Sequence, residues 1–307
     1  MLPLYGMGAG RSEDKRYTVP NVAKKVGTPG QEQADIATTA PTAEQRWIWR
    51  NDMQYIDCQK YAQEILDEVK TIPNKKKLII FTAGDNPASA SYVKGKIKDC
   101  EYCGVPYEHI KVQTQDELAT LIKRKCVTPT TGGIIIQLPL PDGWDEEYFT
   151  NLVPPILDVD GFVKGSHFKP CTPEGIIYLL KKELGDLTGK TALVIGRGKL
   201  VGEPVVKMLL DEDCTVTIAH SKTKNLRGLL KAVDIIISAV GKPNLIDLEY
   251  CWRAKVVIDV GVNRDENGKL CGDCYGFDPN NYCLKVTPVP KGIGLMTRAM
   301  LMKHMEG

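Results

Sequence analysis

Tyr92 and Lys96 stand four residues apart in a segment with helical apolar spacing, so a helix would set an aromatic ring and an amine on one face. Asp85 to Ser89 lies just ahead of that segment. Gln137 follows the apolar run Gly133-Ile134-Ile135-Ile136, and Asp158 and Asp160 follow a proline turn. An amine, a phenol ring, an amide and a carboxylate brought together could exchange a proton and hold a flat ligand rich in hydrogen-bonding groups. The same residue types also describe a surface lysine, a packed tyrosine and a loop aspartate. On spacing alone that plainer description carries the greater weight.

A second chemistry is written at residues 193–202. The apolar run Leu193-Val194-Ile195 enters Gly196-Arg197-Gly198-Lys199-Leu200-Val201-Gly202, a strand, a glycine turn and a helix start. Backbone N–H groups at such a start bind pyrophosphate, and glycine lets the phosphate approach. The spacing G-x-G-x-x-x-G is one residue longer than the usual dinucleotide pattern, and a tight strand–helix turn without ligand is the alternative. After the next strand, where an acid would bond a ribose 2′-hydroxyl, the chain has His220-Ser221-Lys222-Thr223-Lys224. With Arg197 in the turn, that chemistry suits a 2′-phosphate, hence NADP over NAD. A solvated basic loop is the bland alternative.

These residues need a scaffold, and the composition supplies one. Of 307 residues 43% are apolar and 25% charged, ordinary for about two folded domains. A net charge of +2 gives no electrostatic ground for nucleic acid or a membrane surface as partner. No apolar run approaches the ~18 residues of a transmembrane helix. The ten cysteines, without a signal-peptide core, suggest reduced, mostly buried thiols in a cytoplasmic protein. Cys100/Cys103 and Cys271/Cys274 have C-x-x-C spacing; a tetrathiolate zinc site is the lesser alternative, and no metal is expected. Residues 1–52, without a periodic apolar face, are expected to form a flexible extension; Glu13 and Asp14 argue against a mitochondrial presequence.

Strands alternate with helices from residue 53 on. Strands are predicted at 78–81, 110–112, 133–138, 192–195, 216–219, 235–238 and 256–260. One helix carries Tyr61, Ala62, Ile65, Leu66 and Val69 behind an Asp57 cap; others run through Tyr92–Ile97 and Leu118–Ile122. Thr172 is expected to cap a helix with Pro173 at its first position, and further helices are expected at 205–210, 226–232 and 296–305. The alternation predicts an α/β fold with parallel sheets covered on both faces.

Several runs together carry a resemblance. Gly84-Asp85-Asn86-Pro87-Ala88-Ser89 with Tyr92-Val93-x-x-Lys96, Gly133 to Pro141, Asp158-Val159-Asp160-Gly161-Phe162 and Pro170-Cys171-Thr172-Pro173 come first. Gly196-Arg197-Gly198, His220-Ser221-Lys222-Thr223, Val240-Gly241-Lys242-Pro243, Ile258 to Asn263 and Thr287-Pro288-Val289-Pro290 follow. In this order, over residues 53–305, they resemble bifunctional methylenetetrahydrofolate dehydrogenase/methenyltetrahydrofolate cyclohydrolases.

The resemblance implies a folate-binding catalytic domain at 53–171, a Rossmann-like NADP-binding domain at 172–291, and a last helix within 292–307 returning to the first domain. It implies oxidation of the methylene bridge with NADP and hydrolysis of the methenyl product, in a homodimer. It makes Lys96 the acid–base residue, Tyr92 the ring against the pterin, Gln137 the group that tunes the lysine and Asp160 the pterin's hydrogen-bond acceptor. It lines the folate with Ile136, Leu138, Pro288, Val289, Pro290, Gly292 and Gly294. It assigns the nucleotide to Gly196, Arg197, Gly198, Gly202, His220, Ser221 and Val262. Three departures stand out. The 162–170 segment is short, Leu157 replaces a lysine, and Lys291-Gly292-Ile293-Gly294-Leu295 replaces Gly-Gly-Val-Gly-Pro.

Overall fold

Leu78-Ile79-Ile80-Phe81 and Ile134-Ile135-Ile136 are unbroken apolar runs, the pattern of strands buried on both faces. A computed structural model describes residues 54–276 and 284–306, all within one compact unit of the chain. The expected extension at 1–52 lies outside the described residues. Strands β1 (Gln54–Tyr55), β2 (Lys77–Ala83), β3 (Tyr107–Val112) and β4 (Thr131–Ile136) open the chain; β2, β3 and β4 form a parallel sheet of order β3-β2-β4. Around them lie α1 (Cys58–Lys70), α2 (Pro87–Cys103), α3 (Gln115–Cys126) and α4 (Glu146–Asn151). The expected strand 133–138 ends two residues early. Gln137 still donates its N–H to Phe81 O, but the prolines beyond it have no N–H to continue the ladder.

The second half holds α5 (Cys171–Leu184), β5 (Thr191–Ile195), α6 (Gly202–Asp211), β6 (Thr215–Ala219), α7 (Leu226–Leu230), β7 (Ile235–Ser238), β8 (Ile246–Asp247) and β9 (Val256–Asp259). Short strands β10 (Asn263–Arg264), β11 (Leu270–Cys271), β12 (Cys274–Tyr275) and β13 (Lys285–Val286) precede α8 (Ile293–His304). The larger sheet is parallel, with order β1-β13-β9-β7-β5-β6. The chain therefore leaves β5 toward β6 on one side and returns to β7 on the other, which opens a crevice beyond the carboxyl end of β5. Gln54–Tyr55, expected at the start of the folate half, instead adds to the edge of this sheet beside β13.

Successive strand side chains point to opposite faces, and the cores divide accordingly. Leu78, Ile80 and Ile135 join Val194, Ile237 and Ile258 in one continuous core with α1, α5 and α8. Ile79, Phe81, Ile134 and Ile136 pack on the other face with Leu118, Ile122 and Phe149. Leu193, Ile236 and Val257 bury the far face of the larger sheet. Each fully buried side chain of this kind contributes about 1.5–3 kcal/mol. The shared core ties both sheets to one helical layer.

Asp57 caps α1 as predicted, accepting from Lys60 N. Thr172 does not cap α5. The helix starts two residues earlier, at Cys171 after Pro170, and the Thr172 hydroxyl is bonded to Thr297 Oγ1 on α8 at 2.9 Å.

Candidate active site

Asn86 accepts from Ala88 N and Ser89 N and Pro87 fills the first turn, so α2 starts directly after the β2 loop. Its buried stripe runs through Val93, Lys96, Cys100 and Cys103. Lys96 thus replaces an apolar residue on the core face and is only 3% exposed. Its Nζ lies 5.2 Å from the centre of the Tyr92 ring and 3.9 Å from Asp160 Oδ1. Those distances give cation–π and ionic attraction, while 3.9 Å is too long for a hydrogen bond. The amine is held in place without a donor–acceptor lock. Tyr92 is half-buried; burial, followed by the Asp160 carboxylate, pushes its hydroxyl above the ordinary phenol range.

Asp160 is delivered by a loop that builds itself. Asp158 accepts from Gly161 N at 3.2 Å and Val163 N at 2.7 Å, and Ser166 Oγ donates to Asp158 O. Burial raises the Asp158 carboxyl, opposed by those donors. Gly161 has φ 76°, and a Cβ there would stand 2.5 Å from Lys169 O, so only glycine closes the turn. Cys171 N donates to Asp160 O, pinning the loop to the start of α5. Leu157, the residue that replaces a lysine, packs into the apolar core beside β4. Ile136 shares a crevice with Asp158, Asp160 and Phe162.

Gln137 is half-buried directly after β4. Its Nε2 donates to Leu138 O at 2.8 Å, while its Oε1 is buried without a hydrogen-bond partner. Leu138 packs on the β4 core. The loop from Pro288 through Val289 and Pro290 follows β13; Gly292 closes it, since a Cβ there would meet Pro288 O at 2.1 Å. Both Leu138-Pro139 and Val289-Pro290 are cis. A Cβ on Gly294 would lie 3.9 Å from the Tyr92 ring, so this loop borders the lysine site. Lys291 is exposed with φ 73°, a left-handed conformation that glycine would adopt at lower cost.

The nucleotide turn is made of backbone. Gly196 has φ 106°, and a Cβ would come within 2.3 Å of Ala239 O; one on Gly202 would come within 2.4 Å of Gly196 O. α6 begins with no side-chain cap; Glu203 N donates to Gly198 O and Pro204 has no N–H, so in its first three residues the Gly202 N–H is the backbone donor left to face the turn. Arg197, Gly202, Glu203, Val206 and Ile218 line a cavity of about 230 Å³. Arg197, Gly198 and Ser221 are exposed around it. His220 N donates to Thr223 Oγ1, and His220 Nδ1 accepts from Lys222 N, so the loop after β6 is a closed turn. The phosphate-binding geometry of a dinucleotide fits this cradle.

Two buried carboxylates here were not singled out from the sequence. Asp273 accepts from Ser238 Oγ, Val240 N, Gly241 N, Lys242 N and Asn263 Nδ2. Asp259 accepts from Gly261 N, Asp273 N and Cys274 N. Together they fix the loop after β7 and the loop carrying exposed Val262. The available signal was an aspartate at the end of an apolar strand followed by glycine. Cys100 and Cys103 lie in the core, with burial pushing their thiols up to about 12 and about 11. Among the described residues no group of three or more His, Cys, Asp or Glu side chains could hold a metal ion.

A parallel sheet with a glycine cradle at its switch point, joined to a smaller sheet beside which α2 carries a buried lysine, defines a class of α/β enzymes that work with a nucleotide. Two family models match: the tetrahydrofolate dehydrogenase/cyclohydrolase catalytic domain over residues 56–160, and the NAD(P)-binding domain of the same enzymes over residues 170–306. The chain belongs to the tetrahydrofolate dehydrogenase/cyclohydrolase family. It is 41% identical over 268 residues to the bifunctional protein FolD of Lachnoclostridium phytofermentans, covering 81% of this chain and 95% of that protein. The crystal structure of the bifunctional FolD of Campylobacter jejuni is similar with a TM-score of 0.76 and 36% identity, over 83% of this chain and 97% of that one. The Trypanosoma brucei FolD, solved with NADP and an inhibitor, is similar with a TM-score of 0.76 and 28% identity, over 83% and 96% of the two chains.

Proposed function

We propose that the protein oxidises 5,10-methylenetetrahydrofolate with NADP and hydrolyses the methenyl product to 10-formyltetrahydrofolate. The observation that carries this reading is the buried Lys96 amine, 3.9 Å from Asp160 and over the Tyr92 ring. Residues 53–171 serve the folate and 172–291 the nucleotide. Asp160 offers two acceptor oxygens to the N–H groups of a pterin, and Tyr92 offers its ring face. Ile136, Leu138, the 288–290 loop, Gly292 and Gly294 form the walls.

Bound at Gly196, Gly198 and Gly202, NADP supplies the hydride acceptor. Arg197, His220 and Ser221 would hold its 2′-phosphate, and Val262 would be a further contact. Loss of hydride leaves a delocalised cation on the folate. In its unprotonated amine form Lys96 then takes a proton from the water that adds to that cation, becoming the ammonium, and gives that proton up as the ring opens. The unpartnered Gln137 Oε1 is an acceptor suited to the amine, and a neutral amide does not fix the amine's charge as a carboxylate would.

The open edge of the larger sheet at β6 supports a homodimer, and the free thiols of the described cysteines support a cytoplasmic setting. Turnover of methylenetetrahydrofolate with NADP or NAD, with methenyl and formyl products followed separately, tests the reading. Methenyl product without formyl product would reduce it to a dehydrogenase, and folate binding without hydride transfer would reject it.

A further inference from the structure

His304 is the last residue of α8, 7% exposed, with both ring nitrogens engaged. Nδ1 lies 2.7 Å from Val159 O, and Nε2 lies 2.7 Å from Glu174 Oε2 in the first turn of α5. A carbonyl oxygen only accepts, so Nδ1 carries a proton; across Nε2 a further proton is shared with the Glu174 carboxylate. Phe168 stacks on the ring with centroids 4.7 Å apart, and Cys171 Sγ donates to the same Val159 O at 3.2 Å. Two donors, one from α8 and one from the start of α5, thus meet on one backbone oxygen, that of the residue immediately before Asp160, and Phe168 and Glu174 hold the ring that supplies the first. The short 162–170 segment is what brings Phe168 to this place.

Ahead of Val159 the loop is held to β4, where Ile134 N donates to Leu157 O and bridges Asp158, and the buried Val159 side chain packs beside Gly133. Beyond Val159, apart from the Lys96 ion pair, its hydrogen bonds are internal or run to the start of α5. Without a hold on Val159 O, the stretch beyond the β4 bridge could turn at 159–160 and carry the Asp160 carboxylate away from Lys96. We infer that His304, oriented by Glu174, is a positioning residue that clamps the Asp160 loop and thereby sets folate affinity. The inference rests on the proposed role of Asp160 in binding the pterin. His304 touches neither substrate nor nucleotide; it acts through Val159 O.

The test compares wild type with His304→Phe, which keeps the stack on Phe168 and loses both hydrogen bonds, and with His304→Gln, which keeps a donor. Hydrogen exchange at the Gly161 and Val163 amides reads the loop without any turnover. Exchange there should quicken about tenfold in His304→Phe, and the KM for methylenetetrahydrofolate should rise about tenfold. The kcat and the KM for NADP should stay within about twofold, and His304→Gln should recover part of the loss. Unchanged exchange at 161–163, or an unchanged folate KM in a wild type that turns over, overturns the clamp. So does faster exchange spread evenly over the whole protein, because that reports lost stability and no local hold. If His304→Phe fails to fold, His304→Gln and Glu174→Gln are read in its place. A wild type that turns over no folate rejects the proposed function, and the exchange result then decides the clamp alone.

Discussion

At the end of β4 the site-forming groups are buried side chains: Lys96 is 3% exposed and Asp160 7%, and each comes from a different element. At the end of β5 the turn is built by backbone, and its side chains Arg197 and Lys199 are exposed, as is Ser221 after β6. The first arrangement places an amine and a carboxylate where water screens them little, so each strongly affects a bound cation. The second offers N–H groups and a cavity to a large anionic ligand and leaves selectivity to charges at the rim. On the proposed function, chemistry is concentrated in one half and recognition in the other, and the two halves should fail differently when changed.

The largest expected effect is in the buried half. Lys96→Met or Lys96→Gln should slow conversion of methenyl- to 10-formyltetrahydrofolate by about 10³-fold while nucleotide binding persists; normal formyl production by either variant would erase the contrast. Gly196→Ala should destabilise the protein by about 2–3 kcal/mol and weaken nucleotide binding, since its Cβ would strike Ala239 O at a backbone angle that favours glycine. Urea unfolding measures the first part, titration with NADP the second. Arg197→Ala should lower the preference for NADP over NAD by about tenfold. Hydrolysis of added methenyltetrahydrofolate should be untouched, and an equal loss in both activities would mean the halves are not separable. The smallest effect belongs to the loop between them. Lys291→Gly should raise stability by about 0.5 kcal/mol, relief of the left-handed lysine outweighing glycine's extra freedom when unfolded. A thermal melt showing a loss would mean that the lysine has a partner worth more than its strain.

How far the sequence could be read also differs between the halves. The long strands were legible because their apolar runs are unbroken, and the nucleotide turn because Gly196 and Gly202 are needed locally. Lys96 was underweighted on spacing alone, yet a signal existed: Val93, Lys96, Cys100 and Cys103 follow one helical stripe, so the lysine stood at a core position. The α5 cap was misread because the Thr172 hydroxyl has its partner on α8, 125 residues away. α4 was missed, as a six-residue helix with one buried side chain leaves almost no periodic pattern. The two-residue strands and the donors around Asp273 depend on contacts between distant segments, which no local window contains.

The place of α8 bears on how the protein comes into being. Its residues Met296, Met300 and Leu301 fill the core shared with α1 and α5, and its end meets Val159, 145 residues earlier in the chain. During translation the first sheet, with Lys96 on its helix, leaves the ribosome long before that final segment exists. The half that is made first is therefore finished last. Until α8 docks, a nascent chain would carry a nearly assembled nucleotide cradle next to an open apolar seam, a surface for chaperones to shield.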